Sequence, residues 1–248
     1  MHSFEGGRLR HAVLTLLLLI FIGSAHASQV LRVGYADFPP YEYSDQRGEP
    51  IGSFIEITRK VLKEAGFEAE FVALPVSRIY LYLKEGRIDF WPGLAGIPDL
   101  QDHVLESRAR PIRISLRIWH TPPTPAAQTL SDLVGKRLIV INGYTYSGLI
   151  YRLTPANGFE LFTARTHESA LQMLVHGRGD YLLDYTDPIL ETLKHYPVDN
   201  LQSTVLRERL GAFLVSRKHK HAEAVIRKTD QAYESLIRRG EIRPLEGH

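Results

Sequence analysis

The chain carries the same short pattern twice, 91 residues apart, and this duplication limits the possible folds more than any other feature of the sequence. The pattern Leu-x-x-Gly-Arg-x-Asp occupies Leu83–Asp89 and again Leu174–Asp180. In both copies a helix-like segment ends at a glycine, which can adopt the left-handed backbone that a helix C-terminus needs. An apolar strand follows. We therefore interpret Arg178-Gly179-Asp180, which matches a cell-adhesion tripeptide, as a corner between a helix and a strand.

Short apolar runs alternate with helical segments on both sides of the proline-rich stretch His120–Gln128. Strands are predicted where such runs are bounded by turn residues, at 30–36, 67–74, 87–93, 138–142, 159–164 and 178–187. Helices are predicted where apolar residues recur every three or four positions, at 53–66, 76–86, 147–153, 167–177 and 222–240. This alternation predicts an α/β fold with two lobes of similar build, each a mostly parallel sheet flanked by helices.

Residues 1–27 have the composition of a cleaved secretory signal peptide. Arg8 and Arg10 precede the apolar run 12–22, and Ala25-His26-Ala27 supplies a small-residue cleavage site. The run is shorter than the ~20 apolar residues of a membrane span. The chain has no cysteine, so it has no disulfide and no thiol for a lipid anchor, and we expect a periplasmic protein. A formal net charge of +2 indicates neither a nucleic acid nor a membrane surface as a partner.

The loops after the predicted strands carry aromatic, hydroxyl and carboxylate side chains. In open parallel sheets ligands bind beyond the carboxyl ends of the strands, and two facing lobes would form a cleft from those loops. We therefore predict a ligand site that includes Phe38, Tyr41, Trp91, Tyr144, Thr145, Asp184 and Tyr185.

Structural roles are the alternative for several of these residues. Phe38 and Tyr41 could pack the proline-containing loop in which they lie, and Trp91 could belong to the core. Thr145 could cap the helix predicted after it, because a hydroxyl accepts hydrogen bonds from the free N–H groups there.

Patterns for catalysis, metal binding and phosphate binding are absent from the sequence. It has no cysteine nucleophile, no G-x-S-x-G element, no H-E-x-x-H zinc pattern and no Gly-rich phosphate loop. His219 and His221 are two residues apart in a basic segment that we expect to be solvated. The sequence therefore predicts no catalytic residue, no metal site and no cofactor.

Four segments resemble, in order and approximate spacing, family 3 of the bacterial periplasmic solute-binding proteins: LRVGYADFPPYEYSDQRGEPIGSFIEI, LKEGRIDFWPG, LVGKRLIVINGYTYSGLI and LVHGRGDYLLD. The resemblance implies the type II periplasmic binding fold, with two hinge strands joining lobe 1 (29–118 and 210–248) to lobe 2 (119–209). It also implies a monomer that closes on a small polar solute, such as an amino acid, and delivers it to an ABC permease of the inner membrane.

The resemblance also implies roles for individual residues. Phe38 stands where the family has an aromatic ring that stacks on the ligand, and the loop 143–145 falls on the stretch that binds the ligand carboxylate. Asp184 lies one residue before the position of the aspartate that holds the amino group, and Tyr185 occupies that position.

One expected residue is missing. Amino-acid binders of this family carry a carboxylate-binding Arg where this chain has Leu100 and Gln101, neither of which can form a bidentate charged pair. We therefore expect a solute other than an ordinary α-amino acid, with Arg78 as the remaining cationic contact. Two other functions stay open: a sensory or adaptor protein that signals to a membrane receptor, and an enzyme derived from the same scaffold.

Overall fold

The structure is a computed structural model that describes residues 29–247, so the predicted signal peptide (1–27) lies outside the described residues. The helices of the described part are α1 (Ser53–Glu64), α2 (Val76–Glu85), α3 (His167–Val175), α4 (Thr186–Leu193) and α5 (Ala222–Arg238). Its strands are β1 (Gln29–Tyr35), β2 (Tyr43–Ser44), β3 (Pro50–Ile51), β4 (Phe67–Ala73), β5 (Phe90–Leu94), β6 (Val104–Glu106), β7 (Ile112–His120), β8 (Arg137–Ile141), β9 (Glu160–Ala164), β10 (Tyr181–Tyr185), β11 (Gln202–Ser216) and β12 (Leu245–Glu246). Between residues 29 and 247, no helix has both the length and the apolar character that crossing a membrane requires.

Two sets of three parallel strands are joined by an antiparallel pair. In the first set β1 lies between β4 and β5, and in the second β8 lies between β9 and β10. The long strands β7 and β11 pair with each other, and they also join the two sets, because β11 pairs with β5 and β7 pairs with β10. The same arrangement of first, second and third strand thus occurs twice. The predicted two-lobed α/β fold with two hinge strands is confirmed.

The hinge strands β7 and β11 run through both lobes. Residues 202–210 of β11 pair with β7, and residues 211–215 pair with β5. The predicted lobe boundaries, at 118/119 and 209/210, fall inside these two strands. Those boundaries stay a prediction, since the strands are continuous across them.

In lobe 1 the repeated corner is stabilised by an arginine of β1. Helix α2 ends at Gly86, whose φ of 73° is left-handed as predicted. Asp89 accepts hydrogen bonds from the backbone N–H of Arg32 at 2.9 Å and from its Nη2 at 3.1 Å. The same Nη2 donates to the Gly86 carbonyl oxygen at 2.8 Å. The corner is therefore hydrogen-bonded to Arg32, in the middle of β1.

In lobe 2 the same contacts recur at the Arg178-Gly179-Asp180 tripeptide. Asp180 accepts from the backbone N–H of Arg137 at 2.8 Å and from its Nη2 at 2.7 Å, while Nη1 donates to the Gly177 carbonyl oxygen at 2.9 Å. Hydrogen bonds from Arg137 hold the pKa of Asp180 below its ordinary value. The carboxylate of the tripeptide is bound within the protein, which fits a structural corner.

Several elements differ from the sequence-based expectation. The helix predicted at 147–153 is wrong: a 3-10 turn at Leu149–Arg152 takes its place. Tyr146 and Ser147 have positive φ values of 49° and 57°, so the chain leaves the preceding loop in a conformation that cannot start a helix. Helix α4 and the strands β2, β3, β6, β7, β11 and β12 were not predicted from residue patterns, although the family resemblance implied two hinge strands.

Candidate functional site

A cavity of about 50 Å³ lies between the lobes, at the carboxyl ends of the parallel strands. This volume accommodates three to five water-sized groups, at ~10–15 Å³ each. Ile112 and Ile114 of the hinge strand β7 also line it. Aromatic residues from both lobes form a large part of the remaining wall: Phe38, Phe54, Tyr80, Trp91, Tyr144, Tyr146 and Tyr185.

Five of the eight residues predicted to bind ligand line this cavity: Phe38, Trp91, Tyr144, Thr145 and Tyr185. The structure therefore brings together residues that are distant in sequence: Phe38 follows β1, Tyr144 and Thr145 follow β8, Trp91 lies in β5, and Tyr185 ends β10. The other three predicted residues, Tyr41, Asp184 and Arg78, do not line it. Ligand binding by any of the eight stays a prediction.

Aromatic contacts join the lobes across the cavity. The ring of Phe38, from lobe 1, meets Tyr185 of lobe 2 edge to face, with centroids 5.1 Å apart. It also lies 6.3 Å from the ring of Tyr144. Such pairs stabilise beyond the burial of their area by ~0.5–1.5 kcal/mol, so the rings favour contact between the lobes.

Hydrogen bonds also connect the lobes at the cavity rim. The hydroxyl of Tyr144 donates to the carbonyl oxygen of Asp37 at 2.5 Å, and Thr145 Oγ1 donates to the hydroxyl of Tyr80 at 2.8 Å. The backbone N–H of Ser77 donates to the carbonyl oxygen of Gly143 at 3.1 Å. The lobes are thus closed on one another in this structure.

Tyr41 supports the site from behind Phe38. It is buried, and its ring stacks on that of Phe38 at 5.7 Å. Its hydroxyl is hydrogen-bonded to Asp187 of α4, so this residue also links the two lobes. Burial and the Asp187 carboxylate both raise the pKa of Tyr41.

Asp184 is fully buried and forms an ion pair beneath the aromatic wall. Its Oδ2 lies 2.7 Å from Nδ1 of His167, and its Oδ1 accepts the backbone N–H of Tyr185 at 2.8 Å. His167 Nε2 lies 3.1 Å from the hydroxyl oxygen of Tyr144. Asp184 therefore positions Tyr144 through His167 and does not itself reach the cavity.

The protonated form of His167 fits this hydrogen-bond chain best. Burial favours the neutral ring, but the charge and hydrogen bond of Asp184, together with the charge and the backbone carbonyl of Asp37, outweigh it, and the pKa of His167 is raised. An imidazolium donates from both nitrogens, to Asp184 and to the oxygen of Tyr144. The tyrosine proton is then available to the carbonyl oxygen of Asp37, so protonation of His167 supports the interlobe contact.

Arg78, the predicted cationic contact, does not line the cavity. Arg78 is exposed on α2, whose buried residues are Ile79, Tyr80 and Leu83. Leu100, at the position where the family resemblance led us to expect an Arg, is fully buried in an apolar cluster, and Gln101 is exposed. Neither replaces the missing charge.

Glu42 is a site residue that the sequence analysis missed. Its carboxyl group lines the cavity although the residue is only 4% exposed. Oε1 accepts the backbone N–H of Ala36 at 3.3 Å, while Oε2 and the nearby Nε1 of Trp91 lack a well-formed hydrogen bond. Burial raises the pKa of Glu42 well above its ordinary value, and the N–H groups of Ala36 and Trp91 only partly offset this.

The sequence signal for Glu42 was weak. It stands in a loop rich in turn residues, where a carboxylate is normally solvated. The loop folds back on itself instead, since Phe38 and Glu42 pair through their backbones. Its position between Tyr41 and Tyr43 was the one hint of burial in the sequence.

The phenol groups of the cavity are neutral at physiological pH. Burial raises the pKa of Tyr80, Tyr144, Tyr146 and Tyr185 above the ordinary value of tyrosine. They therefore act as hydrogen-bond donors or acceptors and as ring surfaces, without a charge.

A wider groove of about 460 Å³ lies on the other side of Tyr144. Asp37, Asn142, Arg165 and His167 contribute polar groups to its wall. Because Tyr144 borders both spaces, displacement of its ring would enlarge the cavity.

Comparisons with known proteins agree with this architecture. The family model described as bacterial extracellular solute-binding proteins, family 3, matches residues 31–246. The amino-acid-binding protein AabA of Dichelobacter nodosus is 22% identical over 220 residues, which cover 87% of this chain and 86% of that protein. A histidine kinase sensor domain with similarity to periplasmic binding proteins superimposes with a TM-score of 0.72 at 23% identity, covering 87% of this chain and 92% of that one. An ancestral arginine-binding protein bound to arginine gives a TM-score of 0.70 at 24% identity, covering 87% and 95%. At such identities the solved structures show a shared fold.

Proposed function

The chain belongs to family 3 of the bacterial extracellular solute-binding proteins, and we propose that it binds a small polar solute in the periplasm and delivers it to an ABC importer. The observation that carries this proposal is the cavity lined by loops of both lobes. A site shared in this way links binding to lobe closure, because a solute completes contacts to both walls only when the lobes meet.

The proposal assigns a role to seven of the eight predicted residues, all except Arg78, which does not line the cavity. Phe38, Trp91, Tyr144 and Tyr185 would give the solute most of its contact area, and Thr145 would orient it by a hydrogen bond. Tyr41 would hold Phe38 in place, and Asp184 would position Tyr144 through His167. The lobes would be 29–118 with 210–248, and 119–209, after export directed by residues 1–27.

A thermal-shift screen tests solute binding. Amino acids, small carboxylates, amines and short peptides are each added to the purified mature chain. A solute that binds the folded state alone stabilises it by ~2.7 kcal/mol at a concentration of 100 Kd. This corresponds to a rise of about 5–11 °C in Tm for a chain of this size.

A matched pair of variants connects the shift to the cavity. Tyr185→Ala removes a ring from the wall and should abolish the shift. Tyr151→Ala removes an exposed ring outside the cavity and should preserve it. No shift with any compound, or equal effects of the two variants, would refute solute binding at this site.

A sensory role is the second candidate, and the fold shared with a histidine kinase sensor domain is the observation that favours it. Reconstitution separates the two roles. An importer partner would hydrolyse ATP faster when the loaded protein is added, whereas a sensor partner would change its autophosphorylation. Stimulation of a kinase and not of an importer would replace the transport proposal.

A further inference from the structure

The cavity contains one acidic side chain and no basic one. Among the described residues that line it, Glu42 carries a carboxyl group, and none is Lys, Arg or His. A solute carboxylate placed there would be buried beside a second carboxyl group and would have no lining cation to pair with. Burial of an unpaired charge is strongly unfavourable, so the lining disfavours carboxylates.

Unsatisfied polar atoms show what the cavity can accept. Oε2 of Glu42 has no well-formed hydrogen bond although the side chain is almost completely buried, and the Nε1–H of Trp91 is the donor nearby. Buried polar atoms of this kind are rare in folded proteins. A solute that brings a positive charge or a donor would satisfy this oxygen.

The aromatic wall also favours a cation over an anion. Phe38, Tyr80 and Trp91 contribute rings from lobe 1, and Tyr144 and Tyr185 contribute rings from lobe 2. The face of an aromatic ring carries negative potential, so it attracts organic cations and repels anions. Rings from both lobes would surround a cation only in the closed form.

From these three observations, and resting on the function proposed above, we propose that the solute is a small organic cation without a carboxylate group, held by the Glu42 carboxyl and the aromatic rings around it. The closed cavity of about 50 Å³ suits a headgroup of four or five non-hydrogen atoms, such as a methylated ammonium. A larger solute, such as whole choline or an amino acid with a side chain, would require displacement of Tyr144 toward the adjoining groove.

Arg209, on the hinge strand β11, is the nearby cationic side chain that would favour an anionic solute. Its Nη2 donates to the carbonyl oxygens of Ala95 at 2.6 Å and Gly96 at 3.5 Å. Its charge partly offsets the rise that burial causes in the pKa of Tyr80 and Tyr185, so it acts near the site without lining it. If Arg209 were the main contact, the solute would be an anion.

Three probes that share one shape separate these possibilities in wild-type protein. Choline is a cation with a hydroxyl, 3,3-dimethylbutan-1-ol is its uncharged isostere, and glycine betaine adds a carboxylate to the same headgroup. Calorimetric titration should give an affinity for choline, or for tetramethylammonium, at least tenfold above that for each of the other two. Tighter binding of glycine betaine, or of L-glutamine, would overturn the inference.

Variants identify the contact. Glu42→Gln keeps the shape of the side chain but cannot ionise beside a bound cation, and it should weaken choline binding at least tenfold. Glu56→Gln makes the same change at an exposed position of α1 and should leave the affinity within twofold. Loss of binding in Arg209→Gln with retention in Glu42→Gln would refute the assignment of Glu42.

The outcomes distinguish this inference from the proposed function. If an anionic or uncharged solute from the wider screen binds while the cations do not, the cation assignment fails and the solute-binding function stands. If nothing in the screen binds, both fail. The comparison of probes in the wild-type protein decides the matter even if Glu42→Gln does not fold.

Discussion

Replacement of Asp184 by Asn would test the buried ion pair beneath the cavity. The Asp184 side chain is fully buried and that of His167 is 7% exposed, with 2.7 Å between Nδ1 and Oδ2. Removal of one member of a buried pair typically destabilises a protein by ~3–5 kcal/mol, because the other charge is left without compensation. His167 can release its proton and so limit the loss. We therefore expect the variant to lose about 3 kcal/mol of unfolding free energy at pH 6, the lower end of that range.

The effect of this substitution should depend on pH in a defined direction. The pKa of His167 is raised from its ordinary value of 6.5, so above that pH the folded protein keeps a proton that the unfolded chain releases. The ion pair therefore stabilises fully below pH 6.5, and its contribution is lost as the pH rises through the raised pKa of the folded state. The difference between wild type and Asp184→Asn should be larger at pH 6 than at pH 9.

Urea denaturation at the two pH values measures this difference. Fluorescence of Trp91 and Trp119 reports unfolding, and Trp119 donates its Nε1–H to the Asp184 carbonyl oxygen at 3.1 Å. An unchanged slope with a shifted midpoint indicates a change in stability alone. Asp99→Asn removes a partly exposed partner of Lys84 and should cost no more than ~1 kcal/mol. A loss of under ~1 kcal/mol in Asp184→Asn, or one that does not vary with pH, would refute a buried charged pair.

Three other perturbations have defined outcomes. Tyr144→Phe removes the hydroxyl that donates to Asp37 across the lobes and should weaken lobe closure by ~1 kcal/mol. Small-angle scattering should therefore show a larger radius of gyration than in wild type. An unchanged radius would contradict this role of Tyr144. Gly177→Ala places a side chain at a φ of 66° in open space and should lower the free energy of unfolding by ~1–2 kcal/mol. In Gly86→Ala the new Cβ would also lie 2.6 Å from Lys218 Cβ, so urea titrations should show a larger loss of stability. Equal losses in the two variants would contradict this geometry. Glu42→Gln should flatten the fall of Tm with pH. The raised pKa of Glu42 makes the wild-type folded state lose stability as the pH rises from about 4.5. Parallel Tm curves of wild type and variant from pH 5 to 8 would show that Glu42 is not buried in a protonated form.

The part of the fold that sequence could predict is the part that local chemistry fixes. Gly86 and Gly177 both adopt the left-handed backbone at the ends of α2 and α3, and this requirement is visible in the sequence. The hinge strand β11 was harder to recognise, because residues 202–210 pair with β7 alone and their apolar pattern is correspondingly weak. The failed helix at 147–153 depends on positive φ values at Tyr146 and Ser147, which nothing in those residue types requires.

The site was predictable to the extent that it follows from strand order. Phe38 and Tyr185 reach the cavity because the loops after parallel strands meet at one edge of a sheet. The direction of a single side chain was not predictable in this way. Arg78 lies on the exposed side of α2, because the helix buries Ile79 and Tyr80 beside it. Glu42 is buried where its own loop folds back, which no local pattern encodes.

In both lobes, the groups that stabilise the fold and the groups proposed to select the solute lie at opposite ends of the strands. The arginine–aspartate corners have the same contacts in both lobes, and they lie at the amino ends of β5 and β10. The cavity lies at the opposite ends, where the lobes differ: lobe 1 contributes the carboxyl of Glu42, and lobe 2 contributes the hydroxyl of Thr145. A substitution in a corner should therefore lower stability without changing which solutes bind. A substitution at Glu42 should change the preferred charge of the solute and leave the two sheets intact, since this side chain supports neither of them.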